Sequence, residues 1–201
     1  MSSFAYPERV TISNDEINLL PLGAYAGHIE LISDQKLLKD VFKEIGAHNA
    51  VGFDTETRPT FTRGQLHKVA LMQIAIPDKV FLIRLNLTGL APEITDFLGN
   101  EEIKKVGVAL RDDVKALERL KRFKPAGITE LTVLTKQAGI EVESVKKLAA
   151  LFLGIRISKG AQTSNWEAPE LNEKQLSYAA TDAWVCLEVH TMVTKQRALL
   201  A

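Results

Sequence analysis

Cysteine is nearly absent: the single Cys186 leaves no partner for an internal disulfide and too few thiolates for a metal cluster. It lies in the apolar run 183–187 and reads as a core residue. An excess of charge of either sign is also lacking, with 25 Lys plus Arg against 25 Asp plus Glu. A neutral chain has no global positive field, which argues against a tight, sequence-independent binder of polyanions. It leaves room for an enzyme that holds a polyanion locally and releases it. No run approaches the ~18 apolar residues of a membrane helix, and residues 1–10 lack a basic segment followed by an apolar one. The expectation is a soluble, cytoplasmic protein. No repeat, low-complexity tract or linker interrupts the 201 residues, and 46% hydrophobic content suffices for one domain with a sizeable core.

Apolar periodicity divides the chain after an N-terminal arm, residues 1–30, that is broken by Pro21, Gly23 and Gly27 and is expected to close in a strand at His28–Ile32. Helical spacing of Leu37, Leu38, Val41, Phe42 and Ile45, begun by Ser33 and ended by Gly46, precedes an apolar strand at 50–55. Strands at 69–76 and 80–84 follow a loop at 58–68, and the short connections imply an antiparallel meander. A helix at 92–98, a strand at 105–108, a helix carrying Val114, Leu117 and Leu120, and a short strand at 128–131 come next. The remainder reads as helices at 132–138, 145–152 and 172–200. This order predicts an α/β fold, a mixed five-stranded sheet flanked by helices, in a single domain over 31–201. In such sheets ligands gather at the carboxyl ends of strands.

The run Phe53-Asp54-Thr55-Glu56 places two carboxylates on one face at such an end, because strand side chains alternate with period two. Two neighbouring acids repel unless one is protonated or a cation lies between them. Asp112 and Asp113 follow a glycine turn at the start of a helix, where acids also serve as caps. Tyr178 and Asp182 are one helical turn apart among small and apolar residues, and an aspartate tucked there needs a partner or a metal.

Taken together, Asp-x-Glu at a strand end, an aspartate at a strand-to-helix turn, and Tyr-x-x-x-Asp on a late helix resemble the DEDDy group of 3′→5′ exonucleases, which have a ribonuclease H-like fold. The likeness is nearest the ribonuclease D branch and, within it, the exonuclease domain of the Werner syndrome helicase. Arg63-Gly64, the run 68–73 and Ser164-Asn165-Trp166 support it. The family pattern puts its aspartate four residues before a helix leucine, so Leu117 selects Asp113 over Asp112. Proofreading polymerases in the wider group carry an asparagine where this chain has Ala109, which leaves the contact to the penultimate phosphate unassigned.

The resemblance implies hydrolysis of phosphodiester bonds at the 3′ end of DNA or RNA, releasing nucleoside 5′-monophosphates. It implies two divalent ions per site, Mg²⁺ or Mn²⁺, which clamp the attacking and leaving oxygens of an in-line displacement. Asp54 would bridge both ions, Glu56 and Asp182 would complete the tighter site, and Asp113 would serve the second. Tyr178, a poor base at neutral pH, would orient the attacking water. Among substrate contacts, Thr55 and Thr57 flank the acids and Leu71 or Met72 is a wedge against the last base. Gln73 is a polar contact, and Asn165 is placed to close over the site. Arg58, Arg63, His67 and Lys68 form a basic loop that would track phosphates of a single-stranded or frayed end. A rival reading is a nucleic-acid-binding module on the same fold with weak or no chemistry. Its mark would be a missing carboxylate, and none is missing. An endonuclease on the same architecture is a further rival, argued against by Tyr-x-x-x-Asp.

Overall fold

The computed structural model describes residues 6–60 and 66–200. Eight α-helices and six strands are defined among them: α1 (Asn14–Leu19), β1 (His28–Ile32), α2 (Leu38–Ile45), β2 (Ala50–Thr57), β3 (Val69–Ile76), β4 (Lys79–Arg84), α3 (Leu85–Thr88), α4 (Pro92–Gly99), β5 (Lys104–Gly107), α5 (Leu110–Leu120), β6 (Ile128–Glu130), α6 (Leu131–Gln137), α7 (Val145–Leu148) and α8 (Glu173–Leu200). A 3₁₀ turn, Gln35–Leu37, leads into α2 and a π-helical turn, Ala149–Leu153, continues α7. The 3₁₀ turn is capped by Asp34, whose carboxylate accepts the Lys36 N–H at 2.9 Å, and not by Ser33.

The strands form one sheet in the order β1-β4-β3-β2-β5-β6. The meander β2-β3-β4 is antiparallel, as the short connections require, while β1, β5 and β6 join in parallel. The sheet has six strands and not five because His28–Ile32 adds to β4 as an edge strand, in register from His28 opposite Lys79 to Ile32 opposite Ile83. The segment before it also packs on the body. Gly23 N–H donates to the Arg156 carbonyl at 3.0 Å, and the backbone N–H of Tyr25 donates to Thr181 Oγ1 at 3.0 Å.

Alternation along the strands separates two apolar layers. On one face Val51, Phe53, Met72, Ile74, Phe81 and Ile83 pack against α2, α4 and α5. On the other, Leu71, Ala75, Val80 and Leu82 meet Ala179, Ala180, Ala183 and Leu187 of α8. Helix α8 is built to lie close: its sheet-facing residues are mostly alanine, and β2 answers with Gly52. A Cβ at Gly52 would collide with the Ala183 carbonyl and crowd Leu187. No helix of the described residues is long and apolar enough to cross a membrane.

Candidate active site

Strand β2 ends on the α8 face with Asp54 and Glu56, whose cross-strand partners are Gln73 and Leu71. The tight contact of Gly52 with Ala183 brings the neighbouring Asp182 to the same place. Carboxylate oxygens of Asp54, Glu56 and Asp182 all lie within 4.8 Å of one another. Thr55 points the other way, as strand alternation demands, and its hydroxyl donates to Asp113 Oδ1. Asp113 thus comes from α5, in the opposite layer, to the lip of the same strand end. Asp112 is exposed and forms an i,i+3 ion pair with Lys115, at 3.6 Å.

Electrostatics bind these residues into one unit. Burial first, then the charges of Asp182 and Asp113, push the Asp54 carboxyl well above the usual carboxylate range, against the Thr55 N–H that it accepts at 2.9 Å. Burial and then Asp54, Asp182 and Asp113 push Glu56 up to about 9. Asp182 is pushed up to about 7 by burial, opposed by the Tyr178 hydroxyl and by the charge of Lys159. Asp113 is raised chiefly by burial. The Tyr178 hydroxyl is shifted upward by burial and by Asp182 and Glu56, so it stays protonated at any ordinary pH. Its ring lies 6.1 Å from that of Trp166, which is fully buried. Acids packed this closely cannot all ionise without a compensating cation. An all-carboxylate donor set suits Mg²⁺ or Mn²⁺, so the residues fit the ions that the motifs imply.

A cavity of about 300 Å³ opens over the three acids and is also lined by Thr55, Tyr178, Lys146, Lys159, Ser158 and Gln162. Lys146 stands in the first turn of α7 and Lys159 in the loop after the π-helical turn. Both escaped sequence reading, since a lysine on a short helix or loop looks like any solvated charge; only the fold brings these two over the acids. The expected basic loop lies elsewhere. Arg58 and His67 both turn to Glu167, at 3.4 and 3.7 Å, and Lys68 lines a separate cleft with Glu167. Arg63 and Gly64 fall outside the described residues.

The remaining substrate candidates are less exposed than their positions suggested. Leu71 and Met72 are fully buried, Leu71 under α8 and Met72 in the opposite core, so neither presents a wedge to a base. Gln73 is likewise buried, and neither amide atom finds a hydrogen-bond partner among the described residues. Thr57 follows a bulge in the β2-β3 ladder and does not line the acid cavity. Asn165 is exposed: its Oδ1 accepts the Glu167 N–H at 3.2 Å and its carbonyl accepts from Gln175 at 3.3 Å, which makes it a turn former. Arg84 fastens this turn, donating to the carbonyls of Ala168 and Pro169.

Comparison with known proteins agrees with this arrangement. The model of the 3'-5' exonuclease family matches residues 29–197. The chain is 27% identical over 190 residues to ribonuclease D of Haemophilus influenzae, covering 92% of this chain and 46% of that protein. It is 31% identical over 160 residues to the mouse bifunctional 3'-5' exonuclease/ATP-dependent helicase WRN, covering 77% of this chain and 11% of that one. These relatives are therefore much longer than the stretch they share with it. The fold matches the Nibbler EXO domain of Aedes aegypti with a TM-score of 0.75 at 23% identity, over 90% of this chain and 93% of that one. With Asp54, Glu56 and Asp182 gathered at the end of β2, Asp113 bonded to Thr55 beside them, and a family model matching residues 29–197, the chain belongs to the 3'-5' exonuclease family.

Proposed function

We propose that this chain hydrolyses the terminal phosphodiester at the 3′ end of a nucleic acid strand and releases a nucleoside 5′-monophosphate, with two Mg²⁺ or Mn²⁺ ions in its site. The convergence of Asp54, Glu56 and Asp182 within 4.8 Å carries this reading. When bound, the ions supply the charge that activates the attacking water and stabilises the departing 3′ oxygen. The protein's part is to hold and orient. Asp54, grouped with Glu56 and Asp182 and within reach of the Asp113 charge, would serve both ions. Glu56 and Asp182 would complete one site, while Asp113, steadied by Thr55, would serve the other. Tyr178, a phenol with an ordinary value near ~10 and so a poor base at pH 7, would align the attacking oxygen by a hydrogen bond from its place in the same cavity. Lys146 and Lys159 share the cavity with the acids and are placed to receive backbone phosphates without reading sequence. They take the role first expected of Arg58, His67 and Lys68.

The test is digestion of 5′-labelled single-stranded DNA and RNA, and of recessed duplexes, with Mg²⁺ and then Mn²⁺. A ladder shortening from the 3′ end is expected, and relative rates choose the polymer. An intact labelled strand in both metals would sink the proposal and favour a binding module, while cutting of a circular single strand would mark an endonuclease. Asp54→Ala and Asp182→Ala are expected to lose nearly all activity, and Tyr178→Phe to keep a measurable fraction. Equal loss in all three would contradict the role given to the phenol.

A further inference from the structure

Helix α5 delivers Asp113, yet it begins without a side-chain cap of its own. The residue before it, Ala109, has φ +60° and ψ +30°, the only left-handed non-glycine among the described residues. The missing cap comes from another element. Glu130, the last residue of β6, accepts the Ala109 N–H on Oε1 at 3.0 Å and the Leu110 N–H on Oε2 at 3.1 Å. Thr132 Oγ1 donates to the same Oε1 at 2.9 Å and fixes the carboxylate's orientation. One side chain thus occupies two otherwise orphaned donors at the helix start and ties α5 to the sheet.

We propose that Glu130 is a positioning residue for one of the two ions, the one served by Asp113; this rests on the two-ion reading above. Asp113 lies in the first turn of α5, the part that loosens when a cap is lost, and it reaches the site through its bond with Thr55. Asp54, Glu56 and Asp182 sit on β2 and α8, and no bond from Glu130 reaches them. Removing the bidentate acceptor frees Ala109 to leave the left-handed region and lets the first turn roll or fray. Asp113 then drifts while the other three acids stay in place. The effect is selective: one ion is weakened and the other is not. A mere stabilising cap would lower the melting point without sorting the ions.

Mn²⁺ titration by calorimetry, with paramagnetic resonance to count bound ions, compares the wild-type chain with Glu130→Gln and Thr132→Val. Wild type is expected to take two ions. In Glu130→Gln the weaker ion should lose about tenfold in affinity, the size usual for partners behind a metal ligand, while the tighter ion changes less than about twofold. With a 5′-labelled single strand, kcat should fall, KM should hold, and excess Mn²⁺ should restore part of kcat. Thr132→Val keeps the carboxylate and should show the same pattern, attenuated, which covers the case in which Glu130→Gln folds poorly. Two ions bound as in wild type by both variants, or equal weakening of both ions, would overturn the proposal. A wild-type chain that binds two ions but cuts nothing would instead refute the nuclease reading and leave the positioning role standing.

Discussion

Lys105 is wholly buried, an unusual place for an ammonium group, and its Nζ donates to the Phe97 carbonyl at 3.0 Å and to that of Asn100. These carbonyls close helix α4, so the cation sits at the negative end of its dipole and over the Phe97 ring. Burial nonetheless pulls its pKa down to about 8. The folded state therefore gives up a proton that the unfolded chain still holds between about pH 8 and the ordinary lysine value near ~10.4, and stability rises with pH through that window. Lys105→Met should remove this rise when urea midpoints are compared at pH 7.5 and 10. At pH 7 it should cost about 1–3 kcal/mol through the carbonyls left unpaired. The acids behave differently, since their strain is mutual. Saturating Mn²⁺ at a hundredfold excess over Kd should stabilise the chain by about 2.7 kcal/mol per ion. That is a rise in Tm of roughly 5–10 °C for a domain of this size. Asp54→Asn should melt higher than wild type in chelator, because the fold no longer has to keep a buried carboxyl from ionising, and should lose most of the response to Mn²⁺.

At the scale of elements, the site is the meeting of β2 with α8, and its precision depends on how near the two backbones come. Gly52→Ala should destabilise by about 1–3 kcal/mol, the usual range for overpacking. It should lower kcat more than the lost stability explains, since pushing α8 outward carries Asp182 away from Asp54; circular dichroism melts alongside single-turnover assays would separate the two effects. The acids on these elements were legible in the sequence because each motif is local: period two places Asp54 beside Glu56, and period 3.6 places Tyr178 above Asp182. The antiparallel meander was legible for the same reason, from short connections. Relations between distant segments were not. Glu130 caps a helix that begins 20 residues earlier, so no local pattern announces it. Leu71 and Gln73 were expected as substrate contacts from the family resemblance alone; only the packing of α8 on β3 shows them buried. A strand at His28–Ile32 was expected at the end of the arm, but its parallel pairing with β4 depends on a partner some 50 residues on.

Viewed whole, the molecule is neutral, with its positive charge over the acids concentrated in Lys146 and Lys159. Few phosphates are then neutralised, and affinity for single strands should fall gently with salt, by about 0.7 in the log–log slope per phosphate contact. Lys146→Ala and Lys159→Ala should each raise KM and flatten that slope by about one such increment, whereas Arg58→Ala, which breaks an exposed pair with Glu167, should do neither. Steady-state kinetics between 50 and 200 mM salt (roughly the range in which counterion release is resolved) would decide. The strand that carries two of the acids is a different piece of chain from the loop at 155–168, which bears Lys159 and the turn held by Arg84. The acids and Lys159 thus stand on separate stretches of chain, yet they are not independent: the same loop holds Trp166 against Tyr178 and sets Lys159 near Asp182, so an exchanged loop would alter the surroundings of the acids along with the grip.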